Sequence, residues 1–186
     1  MKRTFLAIPI NPGTEYPALV QRLQNNLQHD WINWCRTDQI HLTLKFIGDT
    51  PDDDIPEIVE QVQKVAVRHK PFTMDFDHTG IFGSRYDPRV LWLGMNNIPK
   101  ELFELEDDVL DAFDNLGYMR DSQHFVPHIT ICRIKKLDDK DYFHRVYNTI
   151  EQKTYLHVSV DKIIFYQSFL RPTGAYYKVL NEFRLL

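Results

Sequence analysis

Cysteine is scarce in this chain: Cys35 and Cys132 are the only two. Two cysteines are too few for a disulfide scaffold or a cysteine-based zinc site, and both read as reduced thiols. No apolar run approaches the length of a membrane span. The opening residues, MKRTFLAIPINPGTEYP, carry two basic side chains, but their apolar stretch is too short for a signal peptide and prolines soon break it. A cytoplasmic protein without membrane association is the expectation. Positive charge is not in excess either. The net charge of −4 argues against a protein that coats nucleic acid by neutralising phosphates. Recognition of one phosphate or one nucleic-acid end needs only local positive charge. Lys45, Arg133, Lys135 and Lys136 lie close in sequence to the motifs described below, although Lys135 and Lys136 read best as solvated surface charge. There is no glycine-rich phosphate loop, and Ser84, Ser122, Ser159 and Ser168 sit in no Gly-x-Ser-x-Gly elbow. His124 and His128 are four apart in HFVPH, but Pro127 opposes the helix that such a metal-binding pair needs. No metal or cofactor is expected.

What is present is the composition of a soluble globular protein, 43% hydrophobic and 26% charged over 186 residues. That length suits a single domain, residues 1–186. Residues 4–10 predict a strand. In EYPALVQRLQNNLQ, Tyr16, Leu19, Val20, Leu23 and Leu27 recur at helical spacing, with Pro17 in the tolerant first turn. Residues 40–47 predict a strand. A helix follows with acids at its N-terminus and Ile55, Ile58, Val59, Val62 and Val65 on one face. PFTMDFDHTGIF and RVLWLGM predict two further strands around the turn GSRYDP. The second half opens with a helix from Pro99, capped at Gly117. A strand over 128–134 comes next, then a helix presenting Phe143, Val146, Tyr147 and Ile150. Two final strands, YLHVSVDKIIFYQSFL and AYYKVLNEFRL, flank the turn RPTG. Each half thus runs helix, histidine-bearing strand, helix, strand, strand. No Gly/Ser linker separates the halves. The order reads as an internal duplication, with two lobes drawn from 1–97 and 98–186 and related by a pseudo-twofold.

The histidine-bearing strands are QIHLTLKF and VPHITICR. Side chains alternate along a strand, so His41 and Thr43 share a face, as do His128 and Thr130, with Cys132 next on that face. A twofold between lobes would bring both faces to one central cleft. Chance supplies roughly 0.65 His-x-[Ser/Thr] triplets in such a chain, and roughly 0.1 with apolar flanks. There are three, the third being HVSV at 157–160. His157 falls on the strand after the motif position, and it reads as a strand-face histidine outside the pair. Two imidazoles suit acid–base catalysis, one taking a proton from water and the other giving one to a leaving oxygen. Threonine hydroxyls can donate to the oxygens of a phosphate as charge builds there. A strained cyclic phosphate suits such a site without a metal.

These segments resemble the 2H phosphoesterase superfamily, whose mark is a pair of His-x-[Thr/Ser]-x motifs. Within it the chain resembles the RNA 2′,3′-cyclic phosphodiesterases, also called 2′-5′ RNA ligases. RTFLAIPI, IHLTLKFIGD, GIFGSRYDPRVLWLGM, HFVPHITICRI and SFLRPTGAYYKVL carry the likeness across nearly the whole chain. The resemblance implies an α+β fold, two-lobed, with antiparallel sheets flanking a cleft. It implies hydrolysis of an RNA 2′,3′-cyclic phosphate to a 2′-phosphate. His41 would be the proton donor to the departing 3′ oxygen and His128 the proton acceptor from water. Thr43 and Thr130 would hold the phosphate. Arg133 matches the family arginine, but it is five residues past His128, so a bulge or strand end is needed to turn it inward. The implied partner is RNA with a cyclic-phosphate end, tRNA fragments among the candidates, or small cyclic nucleotides, acted on by a monomer. The rival readings are an RNA-end-binding protein without turnover and a 2H esterase for 2′-5′ oligonucleotides or small cyclic nucleotide esters. Tyr86 could stack a base, but reads better as a turn residue shielding the core.

Overall fold

The structure is a computed structural model and describes residues 1–120, 124–171 and 174–186. Its first strand, β1 (Lys2–Pro9), is apolar on both faces, with Phe5, Leu6, Ala7 and Ile8 all buried. Such a strand belongs inside a sheet, with neighbours on both edges. β3 (His41–Thr50) pairs with it on one edge and β9 (Lys162–Arg171) on the other, both antiparallel. β10 (Gly174–Arg184) completes a four-stranded sheet in the order β10-β9-β1-β3. A second sheet takes β2 (Trp31–Trp34), β5 (His78–Ser84), β6 (Asp87–Gly94) and β7 (Ile129–Lys136), in the order β2-β7-β6-β5. β4 (Phe72–Phe76) and β8 (Leu156–Val160) form a separate two-stranded sheet. The mixed α+β architecture with antiparallel sheets is the one expected.

The helices bury the faces their periodicity predicts. α1 (Glu15–Asn26) buries Tyr16, Leu19, Val20 and Leu23. α2 (Ile55–Ala66) buries Ile58, Val62, Val65 and Ala66. α3 (Lys100–Asn115) buries Leu102, Leu105, Val109, Leu110 and Phe113, and α4 (Lys140–Asn148) buries Phe143 and Val146. Each large apolar side chain so removed from water stabilises the fold by roughly 1.5–3 kcal/mol before entropy is counted. Gly117 ends α3 as predicted. It adopts φ +81°, and the Gly117 and Tyr118 amides donate to Asp114 O and Phe113 O. That is a Schellman closure, and the Tyr118 ring packs on Phe113 at 5.8 Å as such closures favour. α2 and α3 cover the first sheet. α1 and α4 belong to the second, where Arg22 Nη1 donates to Thr149 O and Tyr147 OH donates to Thr79 O.

The lobes are not the two halves of the sequence, because neither four-stranded sheet comes from one half. The repeated unit is strand, helix, motif strand, helix, strand, strand. It runs β1-α1-β3-α2-β4-β5 and then β6-α3-β7-α4-β8-β9. Each unit gives its last strand to the other sheet: β5 pairs with β6, and β9 with β1. The reason is local on one side and global on the other. A two-residue turn ties β5 to β6, while β1 must fill its second edge. The boundary between repeats therefore falls at residues 85–86 rather than near 97.

Two predicted strands also divide. PFTMDFDHTGIF breaks at Asp77 into β4 and β5, and YLHVSVDKIIF breaks at Asp161 into β8 and β9. Both breaks sit at the same step of the repeat, and at each the chain passes from the small sheet to a large one. β2 was not predicted from the sequence. In the turn RPTG, residues 172–173 lie outside the described residues, as does Ser122.

Candidate active site

His41 opens β3 and His128 immediately precedes β7, so each motif stands at the start of a strand in a different sheet. Both imidazoles are half-buried. Each is held the same way. His41 Nδ1 donates to Gln39 O at 3.0 Å, and His128 Nδ1 donates to Val126 O at 2.7 Å. A carbonyl oxygen only accepts, so Nδ1 carries the proton in both rings and Nε2 is left as the reactive nitrogen. Aromatic rings fix the planes. Phe5 and Tyr177 flank His41 at centroid distances of 4.9 and 5.0 Å. Phe82 and Trp92 flank His128 at 4.9 and 6.2 Å. Gly80 makes room for the Trp92 ring, since a Cβ there would meet it at 2.1 Å.

The two histidines share one electrostatic environment. Burial pulls the His41 pKa below its ordinary value, and the charge of His128 pulls it further, against the opposing bond to Gln39 O. Burial likewise lowers the His128 pKa, with Arg133 adding to the effect. The imidazoles, from opposite sheets, are therefore close enough to repel when both are charged. Arg133 also acts on Tyr177 of the first sheet, so its guanidinium lies at the seam between sheets.

A β-bulge aims Arg133. Thr130 pairs with Trp92 and Cys132 with Leu91, so Ile131 is the extra residue. Beyond it the alternation resets. Ile131, Cys132 and Ile134 are buried, while Arg133 is exposed on the face of His128 and half-buried Thr130. The bulge required from the spacing is present. It corrects one placement: Cys132 does not share the His128 face but is fully buried, and burial pushes its thiol up to about 12. The same bulge occurs in β3, where Thr43 pairs with Ala7 and Lys45 with Leu6, skipping Leu44. Thr43 is exposed on the His41 face. Lys45 is turned into the interior, where its Nζ donates to Met119 O at 2.8 Å. Lys45 is thus not a site cation.

Comparison with known proteins settles the family. The family model for LigT like phosphoesterases matches residues 8–92, which include His41 and Thr43. The chain is 33% identical to the RNA 2′,3′-cyclic phosphodiesterase of Aquifex aeolicus over 155 residues, 82% of this chain and 81% of that one. It is 32% identical to the protein of that name from Thermotoga maritima, over 97% of this chain and 94% of that one. The crystal structure of E. coli LigT complexed with 3′-AMP shares the fold with a TM-score of 0.75 at 21% identity, covering 99% and 98% of the two chains. The chain belongs to the LigT-like phosphoesterases of the 2H superfamily.

Within this phosphoesterase the remaining candidates fall away from the histidine pair. His157 is on β8, its side chain 66% exposed, and its Nδ1 lies 2.6 Å from Asp75 Oδ1 on the paired strand β4. His124 is exposed and joins no cluster of three metal-ligating side chains among the described residues. Lys135 and Lys136 face solvent. Tyr86 shields nothing. It is 79% exposed, and its carbonyl accepts from Lys140 at the start of α4. Four aromatic residues of the site, Phe5, Tyr177, Phe82 and Trp92, were missed. Their strands were legible, but nothing local says which residues of three other strands meet a given histidine. No helix among the described residues is long and apolar enough to cross a membrane.

Proposed function

We propose that this phosphoesterase hydrolyses the 2′,3′-cyclic phosphate at an RNA end to a 2′-phosphomonoester, with His41 and His128 as the acid–base pair. The observation that carries the reading is the matched anchoring of two imidazoles on opposite sheets, each with Nε2 free and each sensing charge across the cleft. His128, neutral, takes a proton from water as the oxygen attacks phosphorus. The bond from phosphorus to O3′ breaks on the far side, and protonated His41 gives its Nε2 proton to that oxygen. One water is consumed, and the pair returns to its starting state through solvent. Thr43, Thr130 and Arg133 donate to the non-bridging oxygens as their charge grows. Both histidines come from one chain, so a monomer completes the pair. RNA ends, including those of tRNA fragments, are the substrate class, and the cytoplasm is the expected location.

Incubation with a nucleoside 2′,3′-cyclic phosphate in excess EDTA, with the product identified by phosphorus NMR, tests the reading. The expected product is the 2′-phosphate at an undiminished rate. A 3′-phosphate would reverse the leaving group, and loss of turnover in chelator would defeat the metal-independent mechanism. Tight binding of the RNA end without turnover would favour the non-catalytic alternative.

The pH dependence follows from the signs. Catalysis needs one imidazole protonated and the other neutral. Both free-enzyme pKa values lie below the ordinary 6.5. The profile of kcat/KM is therefore expected to be bell-shaped with its maximum on the acid side of pH 6.5. In kcat the bound phosphate anion favours the imidazolium, so that maximum should move to higher pH. A kcat/KM optimum well above neutrality would contradict the assignment of these two groups.

A further inference from the structure

The position five residues past each motif histidine returns to the histidine face in both repeats, because each motif strand carries the same bulge. In the second repeat that residue is Arg133. In the first it is Phe46. The cleft is thus symmetric at its centre and asymmetric at its ends, cationic at one and aromatic at the other. The row of residues crossing the second sheet through Arg133 continues with Val90 and Phe82. The equivalent row of the first sheet is Phe46, Phe5, Tyr166 and Val179. Phe5 and Tyr166 stack there, with centroids 5.1 Å apart and planes at 20°. Phe46 is 45% exposed and Val179 50%, so both ends of this apolar row are open. Arg3, one step further along β1 on the same face, holds its guanidinium 4.7 Å from the Phe46 centroid.

We infer that the Phe46 row is the subsite for the nucleobase of the terminal nucleotide. This rests on the cyclic-phosphate reading above and extends it. Arg133 draws the phosphate oxygens to its own end, which leaves the ribose and base to extend the other way. Thr43 pairs with Ala7 and Phe46 with Phe5, so the two rows are about 7 Å apart, a span that one nucleoside bridges. A base carries no charge and gains little from a guanidinium at the phosphate end. It gains most by stacking on an exposed aromatic, and the Arg3 plane beside Phe46 adds a second surface for it. Every base has a π-face, so the subsite tolerates any of the four. It makes Phe46 a specificity-determining residue and not a member of the acid–base machinery.

The test compares kcat/KM for adenosine 2′,3′-cyclic phosphate with that for a base-free methyl riboside 2,3-cyclic phosphate. The wild type should prefer the nucleoside by about tenfold or more, the low end of what stacking one base supplies. Phe46→Ala should lose about that factor on the adenosine substrate and far less on the base-free one. Phe46→Trp should restore the preference. An equal loss on both substrates would mean that Phe46 only supports the fold of β3, and it would overturn the subsite. So would a wild type with no preference for the nucleoside. A wild type that hydrolyses neither substrate would remove the parent reading as well, and is thereby distinguishable from failure of the subsite alone.

Discussion

Replacement of His41 or His128 by alanine is expected to lower kcat on a nucleoside 2′,3′-cyclic phosphate by about 10³-fold or more, the upper part of the range for general acid–base groups. That factor corresponds to about 4 kcal/mol of lost transition-state stabilisation. The loss should fall on kcat more than on KM, because proton transfer occurs only as bonds to phosphorus form and break. Each histidine is half-buried against two aromatic rings, so truncation opens a small gap and costs about 1 kcal/mol of stability. Circular dichroism and a melting curve should therefore show folded variants. The double variant should be little worse than either single one, since the pair acts as a unit. His157→Ala is the control. Its imidazole stands in the outer two-stranded sheet beside Asp75, and its removal should change kcat by less than roughly twofold, as for a surface substitution. A folded His157→Ala protein with a thousandfold loss would show that the wrong histidines have been paired.

The second large effect is expected at Arg133. Arg133→Ala should reduce kcat/KM by about 10²-fold, because a planar guanidinium is well matched to phosphate oxygens and its charge helps most as theirs develops. Arg133→Lys should recover only part of the loss, since an ammonium lacks the two-pronged geometry. A pH signature separates this role from simple loss of structure. Arg133 holds the His128 pKa down. Without that charge the His128 pKa rises, and the acid limb of kcat/KM should move to higher pH. Full activity in Arg133→Ala would show that the guanidinium faces solvent during turnover. A loss with the acid limb unmoved would show that its influence on His128 is not felt in the reaction.

The case of Arg133 shows where reading the sequence reaches its limit. Counting alternate residues from His128 placed Cys132 on the reactive face and Arg133 away from it. One extra residue, Ile131, reverses both. The same reversal in β3 buries Lys45 and exposes Phe46. A bulge forms where two strands must keep pairing while twisting, and that demand is set by the partner strand. Nothing in HLTLKF or HITICR announces it. The helix faces were legible because 3.6-residue periodicity is carried within one segment. The α3 end was legible because only a residue at ease with positive φ closes a helix as Gly117 does.

By itself, then, the sequence determined the helices and their buried faces, the doubled order of elements, the four motif residues His41, Thr43, His128 and Thr130, and the phosphoesterase family. Tertiary structure alone decided which sheet each strand joins, where the long predicted strands break at Asp77 and Asp161, and which rings clamp each imidazole. It also decided which side chain stands at each end of the cleft. Periodicity, capping and motif spacing are local, and a segment carries them wherever it lies. Strand pairing and register depend on a partner tens of residues away, such as β9 meeting β1, so they exist only once the two repeats have exchanged their final strands.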